Sequence, residues 1–121
     1  MLYVPAKWTN WTYQLRSDII STPHIMCLEI TSASFPIMVF NVYNDIDNSA
    51  VEAMKTIQTM HPHTIFLGDF NLHHPIWSRD DSLGKHNNKA DDLAHLFSSN
   101  NFGLLNQRGE ETFFMYRHLE G

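Results

Sequence analysis

The sequence is short of the features that mark several protein classes. It holds a single cysteine, Cys27, so no disulfide can form within the chain, and that usage suits a reducing compartment. No apolar run approaches the roughly 18 residues that a membrane span needs. The N-terminus reads as lacking a secretory leader, because Pro5, Lys7 and Asn10 interrupt the apolar Met1-Leu2-Tyr3-Val4 at once. Without a leader, Asn10-Trp11-Thr12 is a chance match to the glycosylation pattern. Basic residues are scarce too. Eight Lys and Arg against thirteen Asp and Glu give a net charge of -5 and a pI of about 5.8. Spread along the chain, they do not make the basic patch of a typical nucleic-acid binder. That class stays open all the same. Eight histidines add charge at lower pH, and a divalent cation would change the field at an acidic site. Repeats, low-complexity blocks and linkers are also absent. At 121 residues and 43% hydrophobic, the chain reads as one domain with one core.

What is present centres on Thr64-Ile65-Phe66-Leu67-Gly68-Asp69-Phe70-Asn71. The apolar start is short and β-branched enough to be a buried strand. Gly68 allows a tight backbone turn, and Asp69 and Asn71 follow with one residue between them. If the chain is still extended there, both side chains share a face and Phe70 anchors the other. A carboxylate and an amide so placed can orient a water or a metal ion and hydrogen-bond a phosphate oxygen. Gly, Asp and Asn are also the common residues of an ordinary strand-end turn.

The flanking segments supply a frame. Leu2 to Val4 reads as a strand end. Residues 5–23 read as irregular, with Trp8, Trp11 and Tyr13 able to stack on bases or, more commonly, to cap a core under a loop. His24 to Thr31 and Pro36 to Tyr43 read as an antiparallel pair, with little strict alternation, as when both sheet faces are covered. The second of these delivers Asn41 and Tyr43 to its C-terminal end. Asp47, Asn48 or Ser49 can cap a helix whose stripe Val51, Met54, Ile57 and Met60 runs to the residues before Pro62. A strand at Thr64 to Leu67 then makes a crossover onto one sheet. Ser78 to Lys89 reads as an exposed loop, and Ala90, Leu93, Leu96 and Phe97 as a second helix. Phe102 to Leu105 and Thr112 to Tyr116 read as two further strands.

Asn41-Val42-Tyr43 closing a strand, an amphipathic helix, then Ile65-Phe66-Leu67-Gly68-Asp69-Phe70-Asn71 resembles the endonuclease/exonuclease/phosphatase superfamily. His73-His74-Pro75-Ile76-Trp77, the helix over 90–99, Gly103-Leu104-Leu105-Asn106 and Thr112-Phe113 narrow the resemblance. They are similar to the endonuclease domain attached to reverse transcriptases of non-LTR retrotransposons. The resemblance covers about residues 24–114. It implies an α/β fold, part of a four-layered sandwich with mixed sheets flanked by helices. It also implies Mg²⁺-dependent hydrolysis of phosphodiester bonds as DNA nicking, with DNA as partner and a reverse transcriptase domain in cis.

On the matching positions, the resemblance implies that Asp69 orients or deprotonates the attacking water and binds the metal. It implies that Asn71 holds the scissile phosphate, and that Tyr43, with Asn41 beside it, contacts the substrate. No role falls to His73 or His74. The family also has an Asn and a metal-binding Glu upstream, and a Ser-Asp-His ending. Neither has a counterpart here, and Asn44-Asp45-Ile46 follows Tyr43 where the family commonly has Pro and then Asn. The expectation is therefore a partial domain over residues 1–121, intracellular and compatible with the nucleus, that does not turn over by itself. A catalytically inactive fragment of the same fold is one alternative. A metal-binding or interaction module built on His61, His63, His73 and His74 is another, although cysteine is the commoner structural-zinc ligand.

Overall fold

The computed structural model describes residues 11–32, 36–58, 60–78, 88–105 and 113–117. In chain order these give β1 (Thr12–Leu15), β2 (Ile25–Thr31), β3 (Pro36–Tyr43), α1 (Ser49–Met54), β4 (Thr64–Asp69), α2 (Asn88–Ser99), β5 (Gly103–Leu104) and β6 (Phe113–Arg117). The strands form one mixed sheet in the order β1-β2-β3-β4-β6-β5. β2 and β3 pair antiparallel, as their short connection requires, and α1 carries the chain over so that β4 lies parallel to β3. The fold is α/β.

Directly paired residues share a face, so the register sorts the side chains. Ile25, Cys27, Met38, Phe40, Val42, Phe66 and Met115 are buried in one cluster with Ala50, Val51 and Met54 of α1 and Ala90, Leu93 and Phe97 of α2. Phe40 stacks on Phe66 with ring centroids 4.5 Å apart, and Phe97 meets Phe66 edge-on at 5.5 Å. The opposite face also carries apolar side chains, but it stays partly open: Met26 is 39% exposed and Leu15 56%. The weak alternation along β2 and β3 comes from apolar residues on both faces. Among the described residues, helices close only one of them.

Several expectations need correction. Residues 5–23 are not wholly irregular, because β1 joins the sheet edge with Thr12 opposite Thr31 and Leu15 opposite Leu28. Its partner is remote in sequence, and its mostly exposed side chains give no apolar run to betray it. The first helix stops at Met54 rather than continuing toward Pro62. Beyond it, Thr56 N–H and Ile57 N–H donate to Ala53 and Met54 three residues back, and the Thr56 hydroxyl also donates to the Ala53 carbonyl. That tighter turn ends the α-helix, yet Ile57 and Met60 still pack against the core. The cap comes from none of the three expected side chains: Asp45 accepts the Ser49 N–H at 2.8 Å, and Asn48 makes no side-chain cap bond. Of the expected loop over 78–89, Ser78 is buried and Asn88 and Lys89 open α2, while residues 79–87 lie outside the described residues. The expected strand at Leu2 to Val4, Trp8 and Thr112 also lie outside them.

The core makes one direct forecast. Cys27 is 1% exposed, and burial pushes its thiol up to about 11. The thiolate is the reactive form, so native protein at pH 8 should resist an aromatic disulfide reagent and react once urea unfolds it. Reaction of the native protein at the rate of a free thiol would show that β2 does not sit as described.

Candidate active site

The site grows from the ends of two parallel strands. β3 and β4 run side by side with Asn41 opposite Leu67, Val42 opposite Gly68 and Tyr43 opposite Asp69. Two unlike groups, a phenol and a carboxylate, thus arrive together at the C-terminal edge of the sheet. Tyr43 is 59% exposed, and Asp69 is exposed as well. Both line a cavity of about 550 Å³, whose remaining wall includes Asn41, His24, Met26 and the turn over 17–23.

Gly68 does not turn the chain. It lies inside β4 with φ 136°, where a side chain is strained, and it lets β3 come close. A Cβ there would overlap the Val42 carbonyl oxygen and lie 2.8 Å from the Val42 nitrogen. This glycine sets the spacing that brings Tyr43 and Asp69 together.

Asp69 and Asn71 are neighbours through a turn, not through strand alternation. The strand ends at Asp69, and Asn71 takes φ 51°, a left-handed conformation that Asn tolerates. Asp69 Oδ1 accepts the Asn71 N–H at 3.1 Å, which makes a turn closed by an Asp side chain. Between them Phe70 is buried and meets Phe97 edge-on at 6.0 Å, so the turn is anchored in the core. Asn71 is not among the residues lining the cavity, and its Nδ2 donates to the Asn44 carbonyl at 2.6 Å.

Asn44 is the residue that sequence reasoning missed. It is wholly buried and grips the whole turn: its N–H donates to the Asp69 carbonyl at 2.9 Å, and its Nδ2 donates to the Phe70 carbonyl at 2.8 Å. The same Nδ2 donates to Asn48 Oδ1 at 3.0 Å, tying the turn to the start of α1. The available signal was its position, directly after Tyr43 at a strand end. Asn44→Ala should destabilise the protein by about 2–4 kcal/mol, since it leaves the buried Phe70 carbonyl without its donor. Asn44→Asp should be poorly tolerated too, because it turns an acceptor toward two oxygens. Amide resonances of residues 69–71 should move in both variants. A thermal melt unchanged from the parent would refute this role.

Asp45 stands just behind the site. Its carboxyl is held below the usual carboxylate range by the Ser49 N–H first, then by the Ser49 hydroxyl and the neighbouring His24. Two of the histidines farther along, His61 and His74, are otherwise occupied. His61 Nδ1 accepts the His63 N–H, while His74 stacks on Trp77 and lies 3.4 Å from Asp91. Trp77 in turn donates to the Leu72 carbonyl, so this stretch is a packed turn against α2. Among the described residues, no three His, Cys, Asp or Glu side chains gather to hold a metal ion. The module of His61, His63, His73 and His74 therefore has no ligand cluster there.

A family model described as endonuclease-reverse transcriptase matches residues 37–118. The chain belongs to this endonuclease–reverse transcriptase family. Its fold is similar to that of the endonuclease domain of TRAS1, a telomere-specific non-LTR retrotransposon, with a TM-score of 0.68 and 16% identity. That match covers 90% of this chain, which spans 57% of the solved one. No curated protein matches the sequence. Within the endonuclease–reverse transcriptase family, the exposed edge at Tyr43 and Asp69 is the natural place to look for chemistry, since ligands of open α/β sheets bind beyond the carboxyl ends of the strands.

Proposed function

We propose that the chain carries part of the active site of a retrotransposon-type DNA endonuclease that hydrolyses phosphodiester bonds with Mg²⁺. The observation that carries this reading is the pairing of Tyr43 with Asp69 on one cavity, with Asn71 hooked to the same carboxylate. Hydrolysis puts a water oxygen on phosphorus, breaks a P–O bond and moves a proton from water to the leaving oxygen. Water is a poor nucleophile toward an anionic phosphate, so a base and charge relief are both required. Asp69 accepts one N–H through Oδ1 and, as a carboxylate, has further lone pairs for a water or an ion. Tyr43 donates its phenol to a phosphate oxygen and Asn41 lines the same wall, while Asn71, exposed next to Asp69, keeps a second Nδ2 hydrogen for the phosphate beyond the one given to the Asn44 carbonyl.

The donor chemistry fits a hard cation in a limited way. Mg²⁺ takes one or two carboxylates plus substrate phosphates and keeps its waters. Asp69 would be its protein ligand, and the bound ion would supply charge relief and a more acidic water. Among the described residues lining the cavity, Asp69 is the one carboxylate, which favours a second reading for the chain by itself: binding without turnover.

Nicking of supercoiled plasmid in Mg²⁺ tests both. The 121-residue chain should nick no faster than its Asp69→Asn control. The chain joined to the parts of a retrotransposon endonuclease that carry the metal-binding Glu and the Ser-Asp-His ending should nick readily. No nicking by the joined protein would refute the endonuclease reading, and robust Asp69-dependent nicking by the chain alone would refute the second.

A further inference from the structure

The cavity beside Asp69 has an electrostatic problem. A phosphodiester entering it meets a carboxylate, in a chain whose net charge is already -5. The wall offers the hydroxyls of Ser17, Ser21 and Thr22 and the phenol of Tyr43, all neutral donors. Among the described lining residues, a single side chain can carry positive charge, and it is His24. Resting on the phosphodiester reading above, we propose that His24 is a substrate-binding residue of this site, donating an imidazolium N–H to a nucleic-acid phosphate oxygen beside the one that the Tyr43 phenol contacts.

The backbone places His24 for this. Its carbonyl accepts the Tyr43 N–H at 2.9 Å, and its own N–H donates to Thr22 Oγ1 at 3.3 Å. The imidazole is therefore mounted directly beside Tyr43, at the end of the turn that leads into β2, the strand paired with β3. Its Nε2 lies 3.6 Å from Asp45 Oδ2, too long for a good hydrogen bond but close enough to be an ion pair when the ring is protonated. Asp45 is itself fixed, by the Ser49 N–H at 2.8 Å and the Ser49 hydroxyl at 2.9 Å. A histidine held loosely on a rigid carboxylate can swing toward a ligand, and a charged donor to phosphate makes a stronger bond than a neutral one. A purely structural His24, pinning β2 to the start of α1, is the competing account.

The test is an NMR titration of the full 121-residue chain with a short DNA duplex, in Mg²⁺, at low salt and pH 6, where imidazoles carry charge. Amide resonances of Tyr43, Asp69 and Asn71 should shift. His24→Gln should weaken binding by about five-fold or more and flatten its salt dependence, as expected on losing one phosphate contact. His24→Arg, which restores the charge, should bind within about two-fold of the parent. If the site resonances shift and His24→Gln binds as the parent does, the role of His24 is overturned while the endonuclease reading stands. If both variants lose binding alike with a lowered melting temperature, His24 is structural and the inference fails. If no site resonance responds to DNA, the inference and the reading beneath it fail together.

Discussion

Gly68→Ala should be among the most damaging single substitutions in this protein. The new methyl would overlap the Val42 carbonyl oxygen and sit 2.8 Å from the Val42 nitrogen and 2.9 Å from its carbonyl carbon. These are backbone atoms of a paired neighbouring strand, so no side chain can rotate away. The residue must also keep φ 136°, which an L side chain resists. Backbone strain of this kind costs about 1–3 kcal/mol, and overpacking a tight contact costs about 1–3 more. The sum, about 2–6 kcal/mol, is a large part of the roughly 5–15 kcal/mol that holds a domain folded. A thermal melt followed by circular dichroism should show a midpoint lowered by roughly 10–25 °C, or no folded protein at all. Ile46→Ala, at a side chain 95% exposed, is the control and should stay within about 0.5 kcal/mol of the parent. A Gly68→Ala protein that melts with its parent would mean that β3 and β4 do not approach as described.

The same glycine shows how the sequence was legible and where it stopped being so. A glycine before Asp, Phe and Asn reads locally as a turn, because turns are where such residues are commonest. Its need here is set by a strand more than 20 residues away, and long-range close approach leaves no local mark. The strand pairs were easier. Runs such as Ile37-Met38-Val39-Phe40 and Thr64-Ile65-Phe66-Leu67 are apolar enough to be strands in any context, and a helix between two of them dictates a parallel pair. The helix over 88–99 was also legible through its three- and four-residue spacing, because it is long enough for the period to show.

Burial and helicity part company after Met54. Ile57 and Met60 keep the apolar period and keep their contact with the core, but the chain there has left the α-helix. Periodicity reports which side chains are wanted inside, not which backbone delivers them. Capping failed for a related reason. Asp47, Asn48 and Ser49 are suitable by type, yet Asp45 reaches the Ser49 N–H first because the turn places it there.

At the site, the candidate residues were visible in the sequence and the structure that supports them was not. Asp69 and Asn71 stand out by type and spacing, although a turn rather than a strand brings them together. Asn44 looked like a departure from the family pattern, and it proves to hold the carbonyls and amides behind that pair. The place of His24 was in principle readable. An antiparallel pair with a four-residue connection after Thr31 sets a register that carries the start of β2 to the end of β3, beside Tyr43. Reading it required treating the pair as a ladder and not as two separate strands.

Asp69→Asn should be the most damaging substitution for activity and one of the mildest for the fold. In the chain joined to the family's Glu- and Ser-Asp-His-bearing parts, it removes the group assigned both to the attacking water and to Mg²⁺. An amide does not accept the water's proton, and it is a weaker ligand for a hard cation than a carboxylate. General-base assistance alone contributes about 10²–10⁴-fold, so nicking should fall by at least that factor. Stability should change little, because Asp69 is exposed and an amide oxygen can still accept the Asn71 N–H that Oδ1 accepts at 3.1 Å. The pair of measurements is what makes the prediction sharp: plasmid nicking lost, with the melting curve kept within a few degrees. Tyr43→Phe provides the scale, since it removes one neutral phosphate contact and should cost only about 0.5–1.5 kcal/mol of transition-state stabilisation, roughly 2- to 13-fold in rate. If Asp69→Asn slows nicking no more than Tyr43→Phe does, Asp69 is a phosphate neighbour and the water is activated elsewhere.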